Sequence, residues 1–76
     1  MDVVKQVVSD GRKQLRKEFE TSRRMSVVWY YYPRTFEKVC QKIDKIREVA
    51  RMQTDPFSVE LTGLQGEVRF EYIKRR

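Results

Sequence analysis

The residues best placed to do chemistry in this chain are cations. Arg12, Lys13, Arg16 and Lys17 stand close together, and Arg23 and Arg24 follow. Several cations at short intervals neutralise successive phosphates and release their counterions, an interaction that carries no sequence code. Lys38, Lys42 and Lys45, preceded by Arg34, repeat the theme at helical spacing. Such ridges also serve solubility alone, as solvated helix faces. Trp29 and Tyr31 stand in the aromatic stretch between the two basic series. Rings beside cations stack single-stranded bases, each worth about 1–3 kcal/mol. An open aromatic face equally suits a dimer interface, or the rings simply pack in the core. The terminal Lys74, Arg75 and Arg76 add a short basic tail.

Catalytic chemistry has less to work with. The chain has no histidine and one cysteine, so the usual Ser/His and Cys/His nucleophile arrangements are absent. The same counts leave no ordinary structural zinc site and no internal disulfide. Cys40 sits in an apolar helical stripe between Val39 and Ile43, which predicts a buried small hydrophobe. Glu60, Glu67 and Glu71 are candidate cross-strand neighbours, with Arg69 the expected partner that neutralises them. None of the three glycines belongs to a phosphate-cradling loop. A metal-free ribonuclease of the toxin type would need Arg69, Tyr72 and Lys74 together, but strand alternation sends Arg69 and Tyr72 to opposite faces. The expectation is a protein that is not an enzyme and has no cofactor and no bound metal.

With 76 residues and a net charge of +6, residues 1–76 read as one small basic domain with a narrow stability margin. The longest apolar run, Val27 to Tyr32, is far below the roughly 20 residues that cross a bilayer. Charge interrupts the amino terminus within four residues, unlike a signal peptide, and Asp2 excludes myristoylation. The expected setting is intracellular and soluble, in the cytoplasm, nucleoid or nucleus, with no membrane partner.

These side chains need elements to position them. Val4, Val8, Gly11, Leu15 and Phe19 recur at spacings of 4, 3, 4 and 4, one face of a helix from about residue 2 to 20. Four valines near the start keep a strand over residues 2–8 as the alternative. Ser26 to Tyr32 is the most β-prone stretch, and Pro33 stops it. If Val28, Tyr30 and Tyr32 face the helices, Val27, Trp29 and Tyr31 stand on the opposite face; the reverse parity exchanges them. Pro33 then opens a second amphipathic helix from about 34 to 52, with Phe36, Val39, Cys40, Ile43, Ile46, Val49 and Ala50 as its stripe. Arg47 and Arg51 are spaced to pair with Asp44 and Glu48. Asp55-Pro56 ends that helix. Phe57, Val59 and Leu61, then Val68, Phe70 and Tyr72, alternate with polar residues around Gly63 and Gly66, a β-hairpin.

The order α-β-α-β-β predicts an α+β two-layer sandwich: two helices on one face of a three-stranded, mainly antiparallel sheet, the last strand central. This order is similar to part of the two-layer folds of small basic nucleic-acid binders such as the Alba-type chromatin proteins. Those add an opening strand and a glycine-containing nucleotide-binding pattern; the similarity is one of architecture and transfers no residues. The leading expectation is a small, largely sequence-independent RNA- or DNA-binding regulatory protein, of the kind viruses and phages encode. It would work through Arg12, Lys13, Arg16, Lys17, Arg23 and Arg24, with Lys38, Lys42 and Lys45 extending the surface. The alternative is a protein-interaction module that modulates an acidic partner, or a homodimer formed through Trp29 and Tyr31.

Overall fold

The structure, a computed structural model, describes residues 2–22 and 26–72, with residues 18–22 described by their backbone alone. A first helix, α1 (Val3–Ser22), precedes strand β1 (Ser26–Tyr30). Two further helices, α2 (Pro33–Gln41) and α3 (Ile43–Arg51), lead to strands β2 (Phe57–Leu61) and β3 (Glu67–Tyr72). The sheet order is β1-β3-β2, and both pairings are antiparallel. The expected mixed α+β architecture with a central last strand is what forms.

The helix expected from about residue 2 forms, beginning at Val3, and the strand alternative over 2–8 does not. Asp2 Oδ1 accepts the Val4 N–H at 2.9 Å and Asp2 O accepts the Gln6 N–H at 3.1 Å, an N-cap that satisfies otherwise orphaned donors. The valines there, weak helix formers by themselves, are held by burial: Val3, Val7 and Val8 all belong to the core. Pro33 opens α2 as its missing donor allows.

The single helix expected over 34–52 is two. Lys42 leaves helical geometry at φ −113° and ψ 16°. Its N–H is shared between Lys38 O at 3.1 Å and Val39 O at 3.2 Å. Beyond the break α3 packs against both β2 and α1, and α2 also contacts α1. No proline or glycine marks the place, so the apolar period runs through it unbroken.

Phe57, Val59, Val68 and Phe70 point into the core from the sheet, and Leu15, Val39, Ile46 and Ala50 meet them from the helices. Burying each of the larger side chains contributes roughly 1.5–3 kcal/mol. The rings of Phe57 and Phe70 stack edge to face, centroids 6.0 Å apart at 83°. Gly11 lies directly over them. A Cβ there would stand 2.5 Å from Phe57 Cε2 and 3.0 Å from Phe70 Cδ1, so glycine is what allows α1 this close to the sheet. In the hairpin turn, Gly63 and Gly66 take φ values of +101° and +86°, which L side chains rarely adopt.

Candidate nucleic-acid interface

At about 100° per residue, Arg12, Lys13, Arg16 and Lys17 fall on an arc of about 140° on α1, opposite the buried Val7, Gly11 and Leu15. All four are exposed. Lys5, also exposed, lies on the same arc and extends the ridge by two turns towards the amino terminus. Ser9, Arg12, Lys13 and Arg16 line a shallow concavity of about 280 Å³ on this ridge. Arg23, Arg24, Lys74, Arg75 and Arg76 lie outside the described residues.

The neighbouring helices continue this surface. Arg47 donates from Nε to Val59 O at 3.0 Å and from Nη2 to Glu60 Oε1 at 3.1 Å, so its flank of α3 turns towards the β2 edge. Lys45 lies on the other side of the Ile46 and Ala50 stripe from Arg47, while Lys42 stands at the break and Lys38 on α2. On α1, Asp10 reaches β1's end, which leaves Arg12 and Arg16 on the flank nearest α3. Both α2 and α3 contact α1, so Lys38, Lys42 and Lys45 belong to the same helix layer as the α1 ridge. Lys38, Lys42 and Lys45 are exposed, and Lys45 also bonds Glu48 at 3.1 Å. Glu48 therefore has Lys45 as a partner, while Asp44 sits 4.0 Å from Arg47 as its spacing predicts. Exposed pairs of this kind contribute little stability, about 0.3–0.5 kcal/mol.

The aromatic strand has the reverse parity to the one placing Trp29 and Tyr31 on the open face. Val27 pairs with Phe70 and Trp29 with Val68, so the buried partners carry both to the helix side. Trp29 and Tyr31 pack against the core, and their expected role as an exposed stacking or dimerisation platform is corrected accordingly. Tyr31 donates its hydroxyl to Asp10 Oδ2 at 2.9 Å, tying the end of β1 to α1. Burial, then the hydrogen bond and charge of Asp10, push this phenol far above its ordinary range. Val28 and Tyr30 take the open face instead, with Tyr30 68% exposed.

The rest of that face is mostly acidic. Glu67, Arg69 and Glu71 form its central column, with Ser58 and Glu60 beside them on β2. Glu60 stands across from Arg69 but bonds Arg47, so for Glu60 the partner is Arg47 rather than the expected Arg69. Tyr72 packs on the helix side, opposite Arg69, as alternation requires. Cys40 is exposed rather than buried: it lies on the rim of α2's stripe, next to a groove lined by Pro33, Phe36 and Gln65. Among the described residues no group of three or more carboxylate or thiol side chains is placed to hold a metal ion. No helix among them is long and apolar enough to cross a membrane.

Sequence reasoning passed over Lys5. Its place eleven residues before Arg16 and seven before Arg12 marks the shared face, but only once residues 2–8 are known to be helical. Comparison with known protein families, with curated proteins and with solved structures finds no match to this chain.

Proposed function

We propose that this protein is a non-enzymatic nucleic-acid-binding module of regulatory type, which grips the phosphate backbone with the outer surface of its helix layer. The observation that carries this reading is the separation of charge. Lys5, Arg12, Lys13, Arg16 and Lys17 line one face of α1 and Lys38, Lys42 and Lys45 are exposed in the same helix layer, while the open face of the sheet carries Glu60, Glu67 and Glu71 with Arg69 among them. A phosphate backbone approaching the helix layer meets attraction, and one approaching the sheet meets repulsion.

The ligand class favoured is a duplex. Among the described side chains, Trp29 and Tyr31 pack inward and Tyr30 belongs to the open sheet face, while Tyr32 stands 86% exposed at the start of α2. One such ring makes no row of platforms for successive unpaired bases. From Lys5 to Lys17 the ridge is about 18 Å long, roughly half a helical turn of duplex. Base edges are not read by such a surface, so binding is largely indifferent to sequence.

The test is fluorescence anisotropy with labelled duplex and single strands of equal length, in RNA and DNA. Duplex binding that disappears in the Arg12→Glu/Arg16→Glu double variant supports the reading. Absence of binding at low salt for every probe overturns it, as does binding that survives the double substitution.

A further inference from the structure

The two edges of the sheet are finished differently. Tyr31 donates its N–H to Gly66 O at 2.8 Å, which sets the phase of the β1–β3 ladder. Counting back by twos, Trp29 and Val27 bond β3, while Ser26, Val28 and Tyr30 aim their N–H and C=O groups at the outer edge. On the opposite side of the sheet, Ser58 and Glu60 bond β3, and Phe57, Val59 and Leu61 direct theirs outwards. That edge is capped at its middle: Arg47 holds Val59 O at 3.0 Å and is itself held by Glu60. Among the described residues, no side chain hydrogen-bonds the β1 edge.

An open edge with high β propensity is a template for another strand. Ser26-Val27-Val28-Trp29-Tyr30 contains no charge, so a copy of the same strand brings no like charges face to face. We infer that β1 pairs antiparallel with β1 of a second copy of this chain, making one continuous six-stranded sheet. With the twofold axis at Val28, each Val28 faces its counterpart, and each Ser26 faces the second copy's Tyr30. These residues carry the outward backbone groups, and their side chains share the open face, where Tyr30 is otherwise 68% exposed. The arrangement closes at two copies, because the edges left over are the β2 edges guarded by Arg47. A twofold axis perpendicular to the sheet also places both helix layers on the same side. The dimer does not depend on what the basic ridge binds.

Sedimentation equilibrium from micromolar to submillimolar concentration tests the pairing. The wild-type chain is expected to reach twice its monomer mass. Val28→Pro removes an outward N–H and no bond to β3, so it should leave the fold intact and return the mass to that of the monomer. Tyr30→Lys, which sets a charge at the same edge, should do the same and covers the case in which the proline variant does not fold. Circular dichroism checks that each variant retains its structure. Arg47→Ala should produce species larger than the dimer. A wild-type chain that remains monomeric throughout overturns the inference, and so does a dimer that persists in folded Val28→Pro or Tyr30→Lys.

Discussion

The outer surface of the helix layer and the open face of the sheet carry opposite charge on frameworks of equal simplicity. On α1, cations recur where the helix turns away from Gly11 and Leu15, so helical period alone gathers Arg12, Lys13, Arg16 and Lys17 onto one face. On β3, alternation gathers Glu67, Arg69 and Glu71 onto one face while Val68 and Phe70 fill the core. The net charge of +6 describes neither surface. It conceals a strongly basic side and an acidic one, and a polyanion senses the local field rather than the sum.

The difference can be broken most severely on the basic side. Each cation withdrawn from a phosphate takes about 0.9 from the logarithmic salt slope, so Arg12→Glu/Arg16→Glu should flatten it by about two and weaken duplex affinity about 100-fold near 0.1 M salt. Anisotropy titrations over a salt series measure both quantities.

The next effect concerns the close seat of α1 on the sheet. Gly11→Ala gains about 1 kcal/mol of helix propensity but presses a methyl group into the Phe57 ring. Overpacking of this kind costs about 1–3 kcal/mol, and the aromatic pair beneath is fully buried. Urea unfolding should show a net loss of up to about 2 kcal/mol, the packing cost exceeding the propensity gain. A more stable variant would mean that α1 does not sit so close.

Smaller still is the tie between α1 and β1. Tyr31→Phe should lower stability by about 1 kcal/mol at neutral pH, the worth of one hydrogen bond. Its pH dependence has a definite sign. The folded phenol is pushed above its ordinary value of 10, so the fold retains a proton that the unfolded chain gives up. The stabilisation is therefore complete below pH 10 and is lost as pH rises beyond it. Comparing wild type and Tyr31→Phe at neutral and alkaline pH should show the wild-type advantage shrinking. An advantage that grows with pH would contradict the Asp10 contact.

The weakest expected effect sharpens the comparison from the acidic side. Glu67→Gln/Glu71→Gln should change duplex affinity by no more than about twofold. The molecule is 21 Å through its thinnest dimension, about twice the screening length at 0.1 M salt. Stability should shift by no more than about 0.5 kcal/mol, as for most surface changes, and the same titrations with urea melts measure both.

Legibility followed the strength of the local signal. The hairpin strands alternate apolar with polar residues, so which side of β2 and β3 is buried could be read directly. β1 has apolar or aromatic residues at every position from Val27 to Tyr32, so its parity could not be read. The register decides it by setting Val27 and Trp29 beside Phe70 and Val68. Cys40 falls within the apolar spacing of α2, but a spacing does not distinguish the middle of a stripe from its rim. The break at Lys42 has no proline or glycine to mark it, so the apolar spacing reads straight through it. On the candidate interface, Arg12 to Lys17 were legible from helical period. Lys5 joined them only with α1 extending to Val3.

Whether the basic helix surface is what holds a duplex is decided most directly by the salt slope of binding, compared between the wild type and the two charge variants. The expected result is a steep wild-type slope, a shallow one for Arg12→Glu/Arg16→Glu, and one unchanged for Glu67→Gln/Glu71→Gln. Equal slopes for the wild type and the arginine variant, or a slope that moves with the sheet-face glutamates, would contradict that role.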